Sequence, residues 1–252
     1  MARIAIVTGA TGGIGAGFVQ AMAGMDDIDE VWAAGRNREK LDLLKGEHEK
    51  VLPVAADFSA DGVSVLGQLI REKKPDIRWL VNNAGIAAMG PFEKMSAEEA
   101  ARFCRINCSA PAELMSLALP YMREGAKIIN VSSASSFQPN PYLAMYSASK
   151  VFLRNLSRAI GAELKARGIT VTCVCPGWVD AGMLPRTKNG NKIRYTGMIS
   201  ADLVVEKALK DSRRGKDMSV PGFFAKYFRV YSKIVPTGLV MRQWMRIVRK
   251  YL

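Results

Sequence analysis

Histidine is almost missing from this chain: His48 is the only one in 252 residues, so a site needing two imidazoles is excluded and no metal is expected. With Glu47, Glu49 and Lys50 beside it, His48 reads as part of an exposed helix end. Cysteine is scarce too. The four thiols fall as Cys104/Cys108, a helix-face spacing, and Cys173/Cys175, a strand-face spacing. Neither is a zinc or secreted-disulfide pattern, so they read as core thiols. No Gly/Ser/Pro-rich stretch, low-complexity run or repeat of roughly 20 to 50 residues divides the sequence, which predicts one domain. Nor is there room for a signal segment at the start, where Met1 leads into Ile4-Ala5-Ile6-Val7 and a turn at Gly9. The expected location is therefore cytoplasmic.

Carboxylates are missing from one end. Residues 1–185 are nearly balanced, with 20 Lys/Arg against 19 Asp/Glu, whereas residues 186–252 hold 16 against 4. No acid lies between Asp180 and Asp202, a stretch that holds Arg186, Lys188, Lys192 and Arg194, and none follows Asp217. Such an imbalance bears on partners rather than fold: an anionic membrane surface, a phosphate-bearing substrate or nucleic acid. No reading motif accompanies the charge, so nucleic acid is not expected.

What is present alternates. Short β-branched or apolar runs at 3–8, 30–34, 51–55, 77–82, 127–132 and 170–175 are separated by helix-length segments at 14–24, 37–46, 59–72, 96–109, 111–123 and 143–166. This predicts an α/β fold with a doubly wound parallel sheet (a Rossmann fold) and right-handed crossovers. Ser59 and Ser96 are candidate helix caps, and 217–220 is a candidate seventh strand. The predicted division is a catalytic domain over 1–222 and a basic helical tail over 223–252.

Between the first strand and its helix stands Thr8-Gly9-Ala10-Thr11-Gly12-Gly13-Ile14-Gly15. Glycines there let the backbone approach a pyrophosphate, whose charge is held by free amides at the helix N-terminus. The second strand ends at Gly35-Arg36 without a carboxylate to grip a ribose 2′-hydroxyl. Arg36 instead offers a guanidinium suited to a 2′-phosphate, favouring NADP(H) over NAD(H). Its ordinary alternative is a solvated residue opening the next helix.

Tyr146 and Lys150 stand four apart in a helical segment and share a face. An ammonium there favours the phenolate of a tyrosine whose ordinary pKa is about 10. Together with Asn82-Asn83-Ala84-Gly85, Asn107, Ser133 and Pro176-Gly177, these residues make the chain resemble the short-chain dehydrogenase/reductase family over about residues 3–185. The resemblance implies a catalytic set of Asn107, Ser133, Tyr146 and Lys150. In reduction Ser133 would hydrogen-bond the substrate carbonyl, Tyr146 would protonate it, and Asn107 would order a relay water. Lys150 would also hold the nicotinamide ribose. The cofactor would lie against Gly9, Thr11, Gly13, Ile14 and Gly15, with Asp57 at adenine, Asn83, Ala84 and Gly85 beside it, and Pro176, Gly177 and Val179 near the nicotinamide. One departure is Ala181, where the family often has threonine; Gly182 or a backbone amide is the expected replacement. A homodimer or tetramer packed through the long helices is implied as well. Taken singly, each residue has a plain reading as a strand end, core packing or surface.

The substrate pocket is expected between 138–145 and the segment after Gly177, with Gln138, Leu143, Trp178 and Met183 joining Ser133 and Tyr146. It would suit a large apolar ketone or alcohol, unless these side chains pack on one another. From Phe223 onward two amphipathic helices are predicted. In the first, Phe224, Phe228, Tyr231 and Val235 share a face opposed by Lys226, Arg229 and Lys233. In the second, Arg242, Arg246, Arg249 and Lys250 form one stripe, while Val240, Met241, Trp244, Met245, Val248 and Leu252 form another. The pattern fits helices lying peripherally on anionic lipid, and equally helices packed on the domain or on a partner subunit. It is too polar to span a bilayer. The tail and apolar pocket are loosely similar to the membrane-associated 3-oxoacyl and hydroxysteroid reductases of the family.

Overall fold

Alternate residues of the first strand bury to opposite sides. In the computed structural model, which describes residues 1–182, 187–188 and 191–249, β1 (Arg3–Thr8) sends Ile4 and Ile6 into one core and Ala5 and Val7 into the other. A strand apolar at every position must be covered on both faces, which is why helices lie on each side of the sheet. One layer holds α1 (Gly13–Ala23), α2 (Arg38–Glu47) and α7 (Ala201–Arg213). The other holds α3 (Gly62–Lys73), α5 (Ala110–Ala118) and α6 (Ala144–Glu163).

The parallel sheet adds β2 (Glu30–Gly35), β3 (Val51–Ala55), β4 (Asp76–Asn82), β5 (Lys127–Val131), β6 (Thr170–Val174) and a short edge strand Met218–Ser219. Its order is edge strand, β6, β5, β4, β1, β2, β3. The strand order therefore reverses between β1 and β4, and a crevice opens at their carboxyl ends, where ligands of such sheets bind. The predicted doubly wound sheet is present, seventh strand included.

Of the local expectations, the Ser96 cap holds and several others differ. Ser96 caps α4 (Ala97–Cys104) with a full capping box, its hydroxyl accepting from the Glu99 amide and the Glu99 carboxylate accepting from the Ser96 amide. Ser59 caps nothing: its amide and hydroxyl both donate to Asp57 Oδ1, at 2.8 and 2.7 Å, and α3 starts three residues later. The helix expected over 96–109 passes from α4 into a π turn at Arg105–Ser109. Cys104 is exposed and Cys108 half-buried, so only Cys173 and Cys175 are core thiols. His48 ends α2 half-buried rather than exposed.

The basic tail folds as α8 (Phe223–Ile234) and α9 (Thr237–Val248), and both helices pack on the domain. Ala225 of α8 joins Cys173, Cys175 and Val220, while Trp244 and Val248 of α9 join Leu143. Phe224, Phe228, Tyr231 and Val235, the face that suited either lipid or the domain, are half-buried.

Candidate active site

Every loop that carries a predicted site residue leaves the sheet at a carboxyl edge. The glycine loop follows β1, and Gly9 holds φ +63, a backbone conformation that a side chain disfavours. A Cβ on Gly15 would lie 2.0 Å from the Gly9 carbonyl oxygen, and one on Gly13 would lie 2.9 Å from Ala181 Cα. Only glycine fits either place. At the N-terminus of α1, Gly12 supplies no side-chain cap, and no acid occupies the first turn. The amides of Gly13 and Ile14 are thus presented to an anion at the positive end of the helix dipole. This is a cradle that fits a dinucleotide pyrophosphate.

The turn after β4 is tied directly to that loop. Thr8 Oγ1 accepts from the amides of Asn83 and Ala84, both at 3.0 Å, and Asn83 Nδ2 donates to the carbonyls of Thr8 and Gly9. Asn83 therefore props the loop. Thr11 packs near Gly35, at the end of β2. The exposed Arg36 after it makes no hydrogen bond or ion pair among the described residues. Asp57 is held below its ordinary carboxyl pKa, first by the Ser59 hydroxyl and amide, then by charge that includes Arg36.

Tyr146 and Lys150 do share one face of α6, with the Lys150 Nζ 5.6 Å from the phenol ring centre. Lys150 is 4% exposed. Its amine donates to the Val131 carbonyl at 2.8 Å, and burial lowers its pKa to about 8. Burial pushes the Tyr146 phenol up, and a hydrogen bond with Ser133 partly opposes that rise. Desolvation governs the phenol, and the lowering expected from Lys150 is not among the causes of its shift. Ser133 opens a short 3-10 turn (Ala134–Phe137), where its Oγ also accepts from the Ser135 amide at 3.1 Å.

Asn107 sits inside the π turn. Its Oδ1 accepts from the Ile86 amide at 2.9 Å, and its Nδ2 donates to the Ile86 carbonyl and to Ser149 Oγ. Both donors are committed, leaving one oxygen lone pair for a water. A Cβ on Gly85 would meet Lys150 Nζ at 3.4 Å and Asn107 Oδ1 at 3.5 Å. Gly85 therefore adjoins two of the four predicted catalytic side chains.

On the other wall, the Pro176 carbonyl accepts from the Ala134 amide, and Gly177 lies against Ala225. Val179 begins a two-residue strand, Val179–Asp180, that pairs with Ile199–Ser200. The Ala181 amide donates to the Val179 carbonyl, so it is not the free replacement for a threonine hydroxyl. Gly182 has φ +77. Leu143 is buried and packs with Tyr146, Trp178 and Trp244. Gln138 is 5% exposed, with neither amide atom hydrogen-bonded among the described residues. Met183 lies outside the described residues. The sequence reading missed Trp244, whose indole N–H donates to the Pro141 carbonyl at 2.8 Å and whose ring stacks 6.3 Å from Trp178. Its place on the apolar stripe of α9 was legible; its partner was not. Among the described residues no cluster of His, Cys, Asp or Glu could hold a metal ion, and no helix is long and apolar enough to cross a membrane.

Comparison with known proteins agrees with this geometry. The short chain dehydrogenase family matches residues 3–192. The very-long-chain 3-oxoacyl-CoA reductase of Neurospora crassa is 33% identical over 208 residues, 77% of this chain and 59% of that protein. The human inactive hydroxysteroid dehydrogenase-like protein 1 is 34% identical over 194 residues, 72% of this chain and 57% of that protein. A short-chain dehydrogenase of Burkholderia cenocepacia, solved in complex with NADP, superposes with a TM-score of 0.79 at 26% identity, covering 96% of each chain. The chain belongs to the short-chain dehydrogenase family.

Proposed function

We propose that this protein is an NADP(H)-dependent oxidoreductase that interconverts a ketone and a secondary alcohol on a large apolar substrate of 3-oxoacyl or steroid type. The observation that carries the reading is the meeting of Tyr146, Ser133 and the buried Lys150 next to Gly85. When bound, the nicotinamide would supply or accept the hydride. Gly9, Thr11, Gly13, Ile14 and Gly15 would hold the pyrophosphate side, Arg36 the 2′-phosphate and Asp57 the adenine. Asn83, Ala84, Gly85, Pro176, Gly177 and Val179 would line the rest. The complex of the Burkholderia relative with NADP supports the choice of cofactor.

In reduction, the Ser133 hydroxyl donates a hydrogen bond to the substrate carbonyl oxygen, and the Tyr146 phenol gives that oxygen its proton. A phenol kept protonated by burial suits this direction. Lys150 holds the ribose, and the free lone pair of Asn107 Oδ1 holds the water that returns a proton. Leu143 and Trp178 form the apolar wall, and Gln138 offers a polar contact to the substrate. The name of the Neurospora relative supports a long acyl substrate. Subunits pair through the long helices as a dimer or tetramer, and exposed Phe152 on α6 supports that contact. A cytoplasmic protein lying peripherally on membrane through 223–252 belongs to the same reading.

A second reading, a non-catalytic NADP(H) sensor or scaffold, is favoured by the name of the human relative. Intact Ser133, Tyr146 and Lys150 weigh against it. The deciding experiment follows NADPH consumption against 3-oxoacyl thioesters, steroid ketones and small ketones, with NADH and Tyr146→Phe as controls. We expect turnover with NADPH that falls by about a hundredfold or more in the variant while NADPH binding stays. Tight NADPH binding with no turnover by either protein would leave the sensor.

A further inference from the structure

The face of α8 that looks outward is not the one its aromatic spacing singles out. Phe223 is 85% exposed, Tyr227 54%, Val230 56% and Ile234 75%. Steps of four, three and four residues put them in one continuous stripe. Lys226 and Lys233, both exposed, run along one edge of it. The helix is firmly seated beneath this stripe: Ala225 is buried in the cluster with Cys173 and Cys175, and Phe224 packs on Gly197. Tyr231 Oη donates to Gln243 Oε1 at 2.5 Å and joins α8 to α9. On α9 and at its C-cap, Arg242, Arg246 and Arg249 are exposed beside Leu239 and Ile247, while Val240, Trp244 and Val248 are buried.

We propose that the outer face of α8, with the arginine side of α9, is a docking surface for an anionic phospholipid bilayer. The proposal rests on the lipid-like substrate reading and gives that site its partner. Four large apolar side chains along one helix edge match the acyl boundary, and the lysine stems extend beside them to place their ammonium groups at the headgroups. No acid follows Asp217, so nothing on either helix repels an anionic surface. A second copy of this chain fits the face poorly, because an isologous contact would bring the lysines of both copies into one interface with no carboxylate on α8 or α9 to offset them. The surface also backs onto the chemistry. The inner side of α9 puts Trp244 in the cluster that contains Tyr146 and Trp178, so apolar substrate drawn from the bilayer would arrive at the pocket wall.

The test uses the full chain and flotation on phosphatidylcholine vesicles, with or without about one-third phosphatidylglycerol. The variant Phe223→Ser/Val230→Ser/Ile234→Ser changes only exposed positions, so its melting temperature and NADPH affinity should match wild type. Wild type should float with anionic vesicles, and high salt should weaken that. The triple variant should lose at least about tenfold of the bound fraction. Equal flotation of both proteins, or equal binding to neutral vesicles, would overturn the proposal. So would a fall in oligomer size in the triple variant when wild type binds no vesicle, since the face would then be a subunit contact. Flotation needs no turnover, so binding by an inactive protein would sink the reductase reading and leave this one standing.

Discussion

Lys150 holds the sharpest conflict at the scale of single residues: its proposed role at the ribose needs a charged amine, yet it is buried and its pKa has dropped to about 8. In the unfolded chain the same group titrates near 10.4. Between these values the unfolded state binds more protons than the folded one, so stability rises with pH across the window from about 8 to about 10.5 and is lost as pH falls back through it. The full difference amounts to about 3 kcal/mol. Urea unfolding at the two ends of that window should therefore show wild type gaining on Lys150→Met as pH rises, and parallel curves would refute the burial argument. Arg36 makes a different kind of prediction, because its guanidinium makes no hydrogen bond or ion pair among the described residues that would be lost with it. Arg36→Ser should cut the preference for NADPH over NADH by about 10- to 100-fold, the worth of charge-assisted hydrogen bonds to a phosphate. An unchanged ratio of kcat/KM values would make Arg36 only the solvated residue that precedes α2.

Among the elements, the π turn at Arg105–Ser109 shows how a local irregularity serves the site. Its one extra residue per turn aims Asn107 across to Ile86, where the amide side chain stands in for a missing backbone partner on both N–H and C=O. Asn107→Ala would leave those two groups unpaired, at about 2 kcal/mol or more, while Ser149 Oγ keeps its bond to the Tyr146 carbonyl, and would release the turn that adjoins Lys150. NADPH affinity should fall together with stability. Ser96→Ala is the control: losing the capping box costs about 1 kcal/mol but touches no site residue, so NADPH affinity should hold. The two variants also show what the sequence could reveal. Ser96 was legible because S-x-x-E before an apolar segment has a local cause, whereas Ser59 failed because the Asp57 carboxylate competes for its hydroxyl two residues away. A π turn adds one residue without changing composition, so nothing in the spacing of 96–109 marks it. The strands were legible because burial on both faces demands unbroken apolar runs. On α8 apolar residues occur nearly all round, and only contact with Gly197 and the Cys173/Cys175 cluster decides that Phe224 turns inward while Phe223 turns out.

Across the whole molecule, the sheet gathers the glycine loop, the Asn83–Gly85 turn, Ser133 and the Pro176-Gly177 turn at one edge because each follows the carboxyl end of a parallel strand. The chain ends by closing that edge, since α9 returns over the loop that leads into α6. The parallel sheet with its covering helices and the basic helices after residue 222 are thus coupled through Trp244, which is 9% exposed and fixed by Pro141, Trp178 and Leu143. Removing so large a buried ring costs about 3–5 kcal/mol in a well-packed core, and toward the lower end where neighbours can collapse into the gap. Trp244→Ala should therefore lower the melting temperature. If α9 walls the substrate pocket, the KM for a long-chain or steroid ketone should rise much more than that for a small ketone, with NADPH affinity unchanged, because the glycine loop lies on a different wall. An equal rise for both ketones would mean that Trp244 orders the catalytic loop rather than shaping the pocket. No change in either KM, with the melting temperature still lowered, would reduce α9 to a brace.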